Sequence, residues 1–123
     1  MKKVLFVEDE GTLRSVVHDK LIKEEPQVTF LEAVNGEEGL GMALKEKPDL
    51  ILLDIIMPKM DGFVMLEKLR QDSWGKNAKV IILSNLSDKK YLLDSFRNEV
   101  YEYIVKTDIK IEDLVAKIKA KLA

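Results

Sequence analysis

Apolar residues in this chain follow two alternating patterns. Short runs rich in branched aliphatics occupy residues 4–7, 28–33, 50–53, 80–83 and 100–105. The clearest of them, Val4-Leu5-Phe6-Val7 and Leu50-Ile51-Leu52-Leu53, lack polar alternation, which suits strands buried on both faces of a parallel sheet. Between the runs lie stretches with helical spacing. The first carries Leu13, Val16, Val17 and Leu21, the third Phe63, Leu66 and Leu69, and the last Ile111, Leu114, Val115, Ile118 and Leu122. Two predicted helices are weaker. The second, near residues 37–46, contains Gly39 and Gly41, each costing about 1 kcal/mol relative to Ala in a helix interior. The fourth, near residues 87–98, has Leu92, Leu93 and Phe96 in a ragged stripe. Turn signals at Pro26, Asn35-Gly36, Pro48-Asp49, Pro58, Asp61-Gly62 and residues 73–77 punctuate the pattern. Strands alternating with helices over short connections predict one three-layer α/β domain across residues 1–123, with right-handed crossovers.

Composition narrows the class. A chain of 123 residues with 46% hydrophobic content can bury a real core. Lys and Arg total 20 against 22 for Asp and Glu, so there is no basic excess of the kind that direct nucleic-acid binding needs. Cysteine is absent, which excludes disulfides, zinc thiolate sites and thiol catalysis. Lys2-Lys3 is followed by only four apolar residues before three acids, which is not a signal peptide. No apolar stretch approaches membrane-spanning length, so membrane insertion is not expected and a cytoplasmic protein is.

The candidate chemistry sits at the ends of two strands. The first run ends in Glu8-Asp9-Glu10 and the third in Asp54. Parallel strands deliver their C-terminal ends to one edge of the sheet, so these acids can converge there. Clustered carboxylates repel one another without a cation, and an oxygen-only donor set suits Mg2+. Further on come Met57-Pro58-Lys59-Met60-Asp61-Gly62, then Ser84 after the fourth run and Tyr103-Ile104-Val105-Lys106 closing the fifth. Each feature has a plain structural explanation of its own. Glu8 and Asp9 could cap the first helix, Asp54 a turn before Pro58, and Lys106 could be a solvated surface lysine. Their occurrence in this order, each at a strand end, is what carries weight.

Taken together, these motifs resemble the receiver domain of two-component response regulators, the chemotaxis-type single-domain regulators above all, over the whole chain. The resemblance implies a flavodoxin-like (βα)5 fold, with a parallel five-stranded sheet in the family's order 2-1-3-4-5. It implies Asp54 as phosphoacceptor, with Mg2+ (or Mn2+ in its place) held directly by Asp9 and Asp54, through water by Glu8, and by the backbone carbonyl of Ile56. Ser84 and Lys106 would bind phosphoryl oxygens. Ser84 and Tyr103 would act as the switch that alters the surface of the fourth helix, fifth strand and fifth helix. A marginal fourth helix also suits a segment that shifts position in signalling. The expected partners are a sensor histidine kinase or a histidine phosphotransfer protein, and an unidentified output protein. The chain is not expected to be an enzyme in the turnover sense. Asp61-Gly62 is expected to be structural, His18 a helix-surface residue and Trp74 a packing residue or loop anchor.

The chain departs from the family's pattern in places. Thr107 follows Lys106 where proline is usual, Glu99-Val100 replaces a Gly-Ala pair, and Asn85 stands where a small residue is common. Ile56 and Leu86, two positions beyond Asp54 and Ser84, are apolar and cannot orient an attacking water. They are expected to tune the rate, giving slow loss of the phosphoryl group. Other readings remain open: a non-phosphorylated pseudo-receiver, or the excised receiver of a DNA-binding regulator. A flavodoxin-type phosphate loop is excluded, because Glu8-Asp9-Glu10 would repel phosphate where that loop should stand. A dehalogenase-type phosphatase would need an acid at Ile56.

Overall fold

The computed structural model describes residues 2–55, 59–84, 102–106 and 109–123. The described elements are β1 (Lys3–Val7), α1 (Gly11–Glu24), β2 (Thr29–Ala33), α2 (Gly36–Glu46), β3 (Leu50–Leu53), α3 (Gly62–Arg70), β4 (Val80–Ser84), β5 (Glu102–Val105) and a terminal helix α4 (Ile111–Leu122). A short 3-10 turn, Gly75–Asn77, links α3 to β4. All strand pairs are parallel and the sheet runs β2-β1-β3-β4-β5, the order expected. The predicted fourth helix near residues 87–98 and the start of the fifth strand at Val100 lie outside the described residues.

The apolar runs become strands because both of their faces are covered. Val4 and Phe6 of β1, Leu50 and Leu52 of β3, and Ile81 and Leu83 of β4 pack on one side with Val17 and Leu21 of α1 and with Leu114, Val115 and Ile118 of α4. The intervening residues, Leu5, Val7, Ile51, Leu53, Val80 and Ile82, pack on the other side with Ala43 of α2 and Met65, Leu66 and Leu69 of α3. Every residue of β3 is fully buried, and each such aliphatic contributes about 1.5–3 kcal/mol relative to exposure. Continuous burial on both faces removes any need for polar alternation, which is why these runs read as uninterrupted apolar segments.

The weak second helix forms because its starting turn is well capped and its glycines are not equivalent. The Asn35 side chain accepts a hydrogen bond from the Glu38 N–H at 2.8 Å, satisfying one of the helix's free first-turn donors. A Cβ at Gly39 would lie 2.8 Å from both γ-carbons of buried Val7, so the missing side chain lets α2 sit close on β1. Gly41 faces open space. Trp74 packs partly buried against the α2–α3 side of the core, and its N–H donates to Asp72 Oδ2 at 3.0 Å, which makes it both packing residue and loop anchor. His18 is a half-buried position of α1, set edge-on to Phe30 with ring centroids 5.1 Å apart.

The two glycines are expected to respond in opposite directions. Gly39→Ala should destabilise by about 1–3 kcal/mol through overpacking against Val7. Gly41→Ala should stabilise by up to about 1 kcal/mol through helix propensity and a less flexible unfolded chain. Urea denaturation midpoints check both, and equal shifts in the two variants would contradict this account of α2.

Candidate functional site

The register of the parallel strands assembles the site. Val7 pairs with Leu53, Leu53 with Ile82, and Ile82 with Tyr103, so the strands end in step along one edge. Glu8 and Asp54 each follow directly on their strands. The Glu8 N–H donates to the Ala33 carbonyl at 2.9 Å, and the Asp54 N–H to the Val7 carbonyl at 3.0 Å, extending the ladder by one step. One oxygen each from Glu8, Asp9 and Asp54 lie within 4.8 Å of one another. Glu8 and Asp54 are buried, and Asp9 faces solvent.

Lys106 enters this cluster from the end of β5. Its ammonium donates to Asp54 Oδ2 at 3.2 Å and pairs with Glu8 Oε1. Burial is the main force that pushes the Glu8 carboxyl up from 4.5 to about 8. The neighbouring Asp54 carboxyl adds to it, and Lys106 opposes it. Burial pulls the Lys106 ammonium down, but its hydrogen bond to Glu8 and the charges of Asp54 and Glu8 outweigh that, so its pKa is raised. With Glu8 holding a proton below about pH 8, the Asp9 and Asp54 carboxylates still outnumber the one ammonium, which leaves an excess of negative charge. An oxygen donor set in that condition fits a hard divalent cation such as Mg2+.

The other expected residues divide into those near this edge and those outside the described chain. Ser84 is the last residue of β4, buried, and paired in register with Val105. Tyr103 lies half-buried on β5 and packs against the α2–α3 side of the core. Ile56, Leu86, Asn85 and the Lys106-Thr107 bond fall on or against residues outside the described chain. Glu8 and Asp9 do not cap the first helix: its N-cap is Glu10, with no side-chain cap bond.

Asp61 caps α3 as expected, accepting from the Val64 N–H at 2.9 Å. Gly62 is needed for a different reason from the turn freedom that its dipeptide suggests. Its φ is not positive, but a Cβ there would lie 2.2 Å from the Asp54 carbonyl oxygen. The Gly62 N–H donates to the Ile55 carbonyl at 2.8 Å, so α3 begins tight beneath the phosphoacceptor candidate. Gly36 makes a similar close approach, its N–H donating to the Met60 carbonyl at 3.0 Å. Sequence reasoning did not single out Arg14, whose Nη1 donates to the Glu8 carbonyl at 2.9 Å. The signal was an arginine one turn into a helix that starts beside the acids.

The response regulator receiver domain profile matches residues 4–119. This chain belongs to the response regulator receiver domain family. It is 29% identical over 122 residues to the DNA-binding dual master transcriptional regulator RpaA of Synechocystis, covering 99% of this chain and 49% of RpaA. A CheY-like receiver domain protein from Methanospirillum hungatei superposes with a TM-score of 0.86 at 27% identity, covering 99% of this chain and 94% of that one. The Thermotoga maritima response regulator TrrA, solved in complex with Mg2+ and BeF, gives 0.81 at 33% identity, covering 99% and 100%. The chain spans about half the length of the curated relatives it matches. Receiver domains are signalling modules of two-component systems that interact with histidine kinases and output domains; they are not enzymes in the turnover sense. No helix among the described residues is long and apolar enough to cross a membrane.

The raised Glu8 pKa has a measurable consequence. A folded chain that titrates this carboxyl near pH 8 holds a proton that the unfolded chain loses near 4.5. Stability contributed by Glu8 therefore falls as pH rises through that window. In divalent-free buffer, Glu8→Gln should flatten the decline in urea-unfolding stability between about pH 5 and 8. A variant with the wild-type slope would exclude Glu8 as the group responsible.

Proposed function

We propose that this receiver domain accepts a phosphoryl group on Asp54 from a histidine kinase or histidine phosphotransfer protein, and that the aspartyl phosphate controls partner binding. The observation that carries this reading is the buried Asp54 carboxylate, which faces the Lys106 ammonium at 3.2 Å inside a cluster of Glu8 and Asp9 oxygens. An Asp54 oxygen attacks the phosphorus of a phosphohistidine. The new O–P bond forms as the N–P bond breaks, and the bonding pair returns to the imidazole nitrogen. Catalysis of such a transfer is mostly positioning and charge neutralisation. Asp9, Asp54 and the Ile56 carbonyl, with Glu8 through water, would hold a Mg2+ that would supply much of that neutralisation.

The chain's own residues do the rest. Lys106 leaves its ion pair with Glu8 and Asp54 and takes up a phosphoryl oxygen with its compact charge. The Ser84 hydroxyl donates to a second oxygen, drawing the end of β4 toward the acceptor. Tyr103 follows inward, and the surface that includes β5 and α4 changes shape. The change is a shift between two packings, biased by the charge-assisted hydrogen bonds that the phosphoryl group adds. Relatives named as DNA-binding regulators favour a second reading of the output, in which this surface governs a DNA-binding segment rather than a separate protein.

With acetyl phosphate and Mg2+, intact-mass analysis should show one phosphoryl group on the wild type and none on Asp54→Ala. Modification of the variant at the wild-type rate would end this assignment. Loss of the group should be slow, because the side chains of Ile56 and Leu86 offer no polar atom to hold a water. Ile56→Asn and Leu86→Glu are expected to quicken dephosphorylation, and no acceleration in either would remove both from the account.

A further inference from the structure

We propose that Arg14 is a positioning residue for the cation site: it fixes the peptide that joins Glu8 to Asp9, and the strength of divalent-ion binding depends on that hold. The inference rests on the reading of Glu8, Asp9 and Asp54 as cation ligands. Both backbone polar atoms of Glu8 are tied down. Its N–H is bound to the Ala33 carbonyl of β2 at 2.9 Å, and its carbonyl oxygen accepts from Arg14 Nη1 at 2.9 Å. The second bond locks the plane of the Glu8–Asp9 peptide, and with it the directions in which the two side chains leave the chain. Glu8 is thereby turned into the protein, where it is fully buried, and Asp9 outward to solvent. From these two directions one oxygen each of Glu8 and Asp9 still lies within 4.8 Å of the other and of an Asp54 oxygen.

On its other side the guanidinium makes an ion pair but no hydrogen bond. Arg14 Nε lies 3.5 Å from Glu32 Oε1 on the edge strand β2, and the Arg14 side chain is only 16% exposed. Glu32 is 43% exposed, and ion pairs with so open a partner contribute little to stability by themselves. The hydrogen bond that carries the proposal is therefore the one to the Glu8 carbonyl. A lysine at the same place would keep the charge but lose the rigid planar group that donates it.

The sign of the effect separates this proposal from a purely electrostatic one. Removing a positive charge beside a cation site should, on charge alone, tighten divalent-ion binding. Removing a positioning residue should weaken it, and losing the outer partner of a metal-site residue typically costs about tenfold or more in affinity. MgCl2 titrated calorimetrically into the full chain provides the test, with wild type, Arg14→Gln and Arg14→Lys compared after thermal unfolding shows that each is folded. Both variants are expected to bind Mg2+ about tenfold more weakly than wild type. Binding as tight as wild type, or tighter, in either variant would overturn the proposal; should Arg14→Gln fail to fold, Arg14→Lys carries the test alone. A wild type that binds no Mg2+ would instead overturn the cation-site reading itself, so the two failures are distinguishable.

Discussion

A half-buried ammonium between two buried carboxyl groups is the constraint around which this domain is arranged. Glu8 and Asp54 lie at the same edge of the sheet, and Lys106 reaches them from β5, two strands away from Asp54. Desolvation makes isolated buried charges very costly, and removing one partner of such a group leaves the others uncompensated. Lys106 therefore reconciles a fold that needs closely packed strand ends with a site that needs concentrated negative charge. A bound cation would also favour loss of the proton that burial keeps on Glu8, so the cluster is receptive to further positive charge.

The site's precision comes from backbone contacts more than from the charged groups. Gly62 brings the start of α3 against the Asp54 carbonyl, and Gly36 brings the start of α2 against Met60. Any side chain at either position would push apart segments that the site needs in contact. Asn35 and Asp61 cap the same two helices with side-chain oxygens, so each close approach is paired with a satisfied helix start. The result is a row of short, tightly tied turns at the C-terminal edge, from which a few side chains project onto one point.

Much of this was legible in the sequence, for particular reasons. The runs at 4–7 and 50–53 have no polar interruption because helices cover both faces of the sheet, and that burial is written directly into residue type. Asp61 reads as a cap because the need for an N-terminal acceptor is local. Gly39 looked like a weakness because helix propensity is local too, whereas its compensation, close packing on Val7, joins residues far apart in sequence. Gly62 was marked as structural, yet the reason lay in the approach of Asp54 and not in its own backbone angles.

The sequence by itself determined the alternation of strand and helix, the two-sided core, and which acids, hydroxyl and lysine stand at strand ends, because these depend on residue type and short spacing. Only the tertiary structure decided that Lys106 pairs with Glu8 as well as Asp54, that burial drives the Glu8 carboxyl upward, and that Arg14 holds the Glu8 carbonyl. Those outcomes turn on desolvation and on distances between strands that are remote in the chain. Neither quantity is carried by any local pattern of residues.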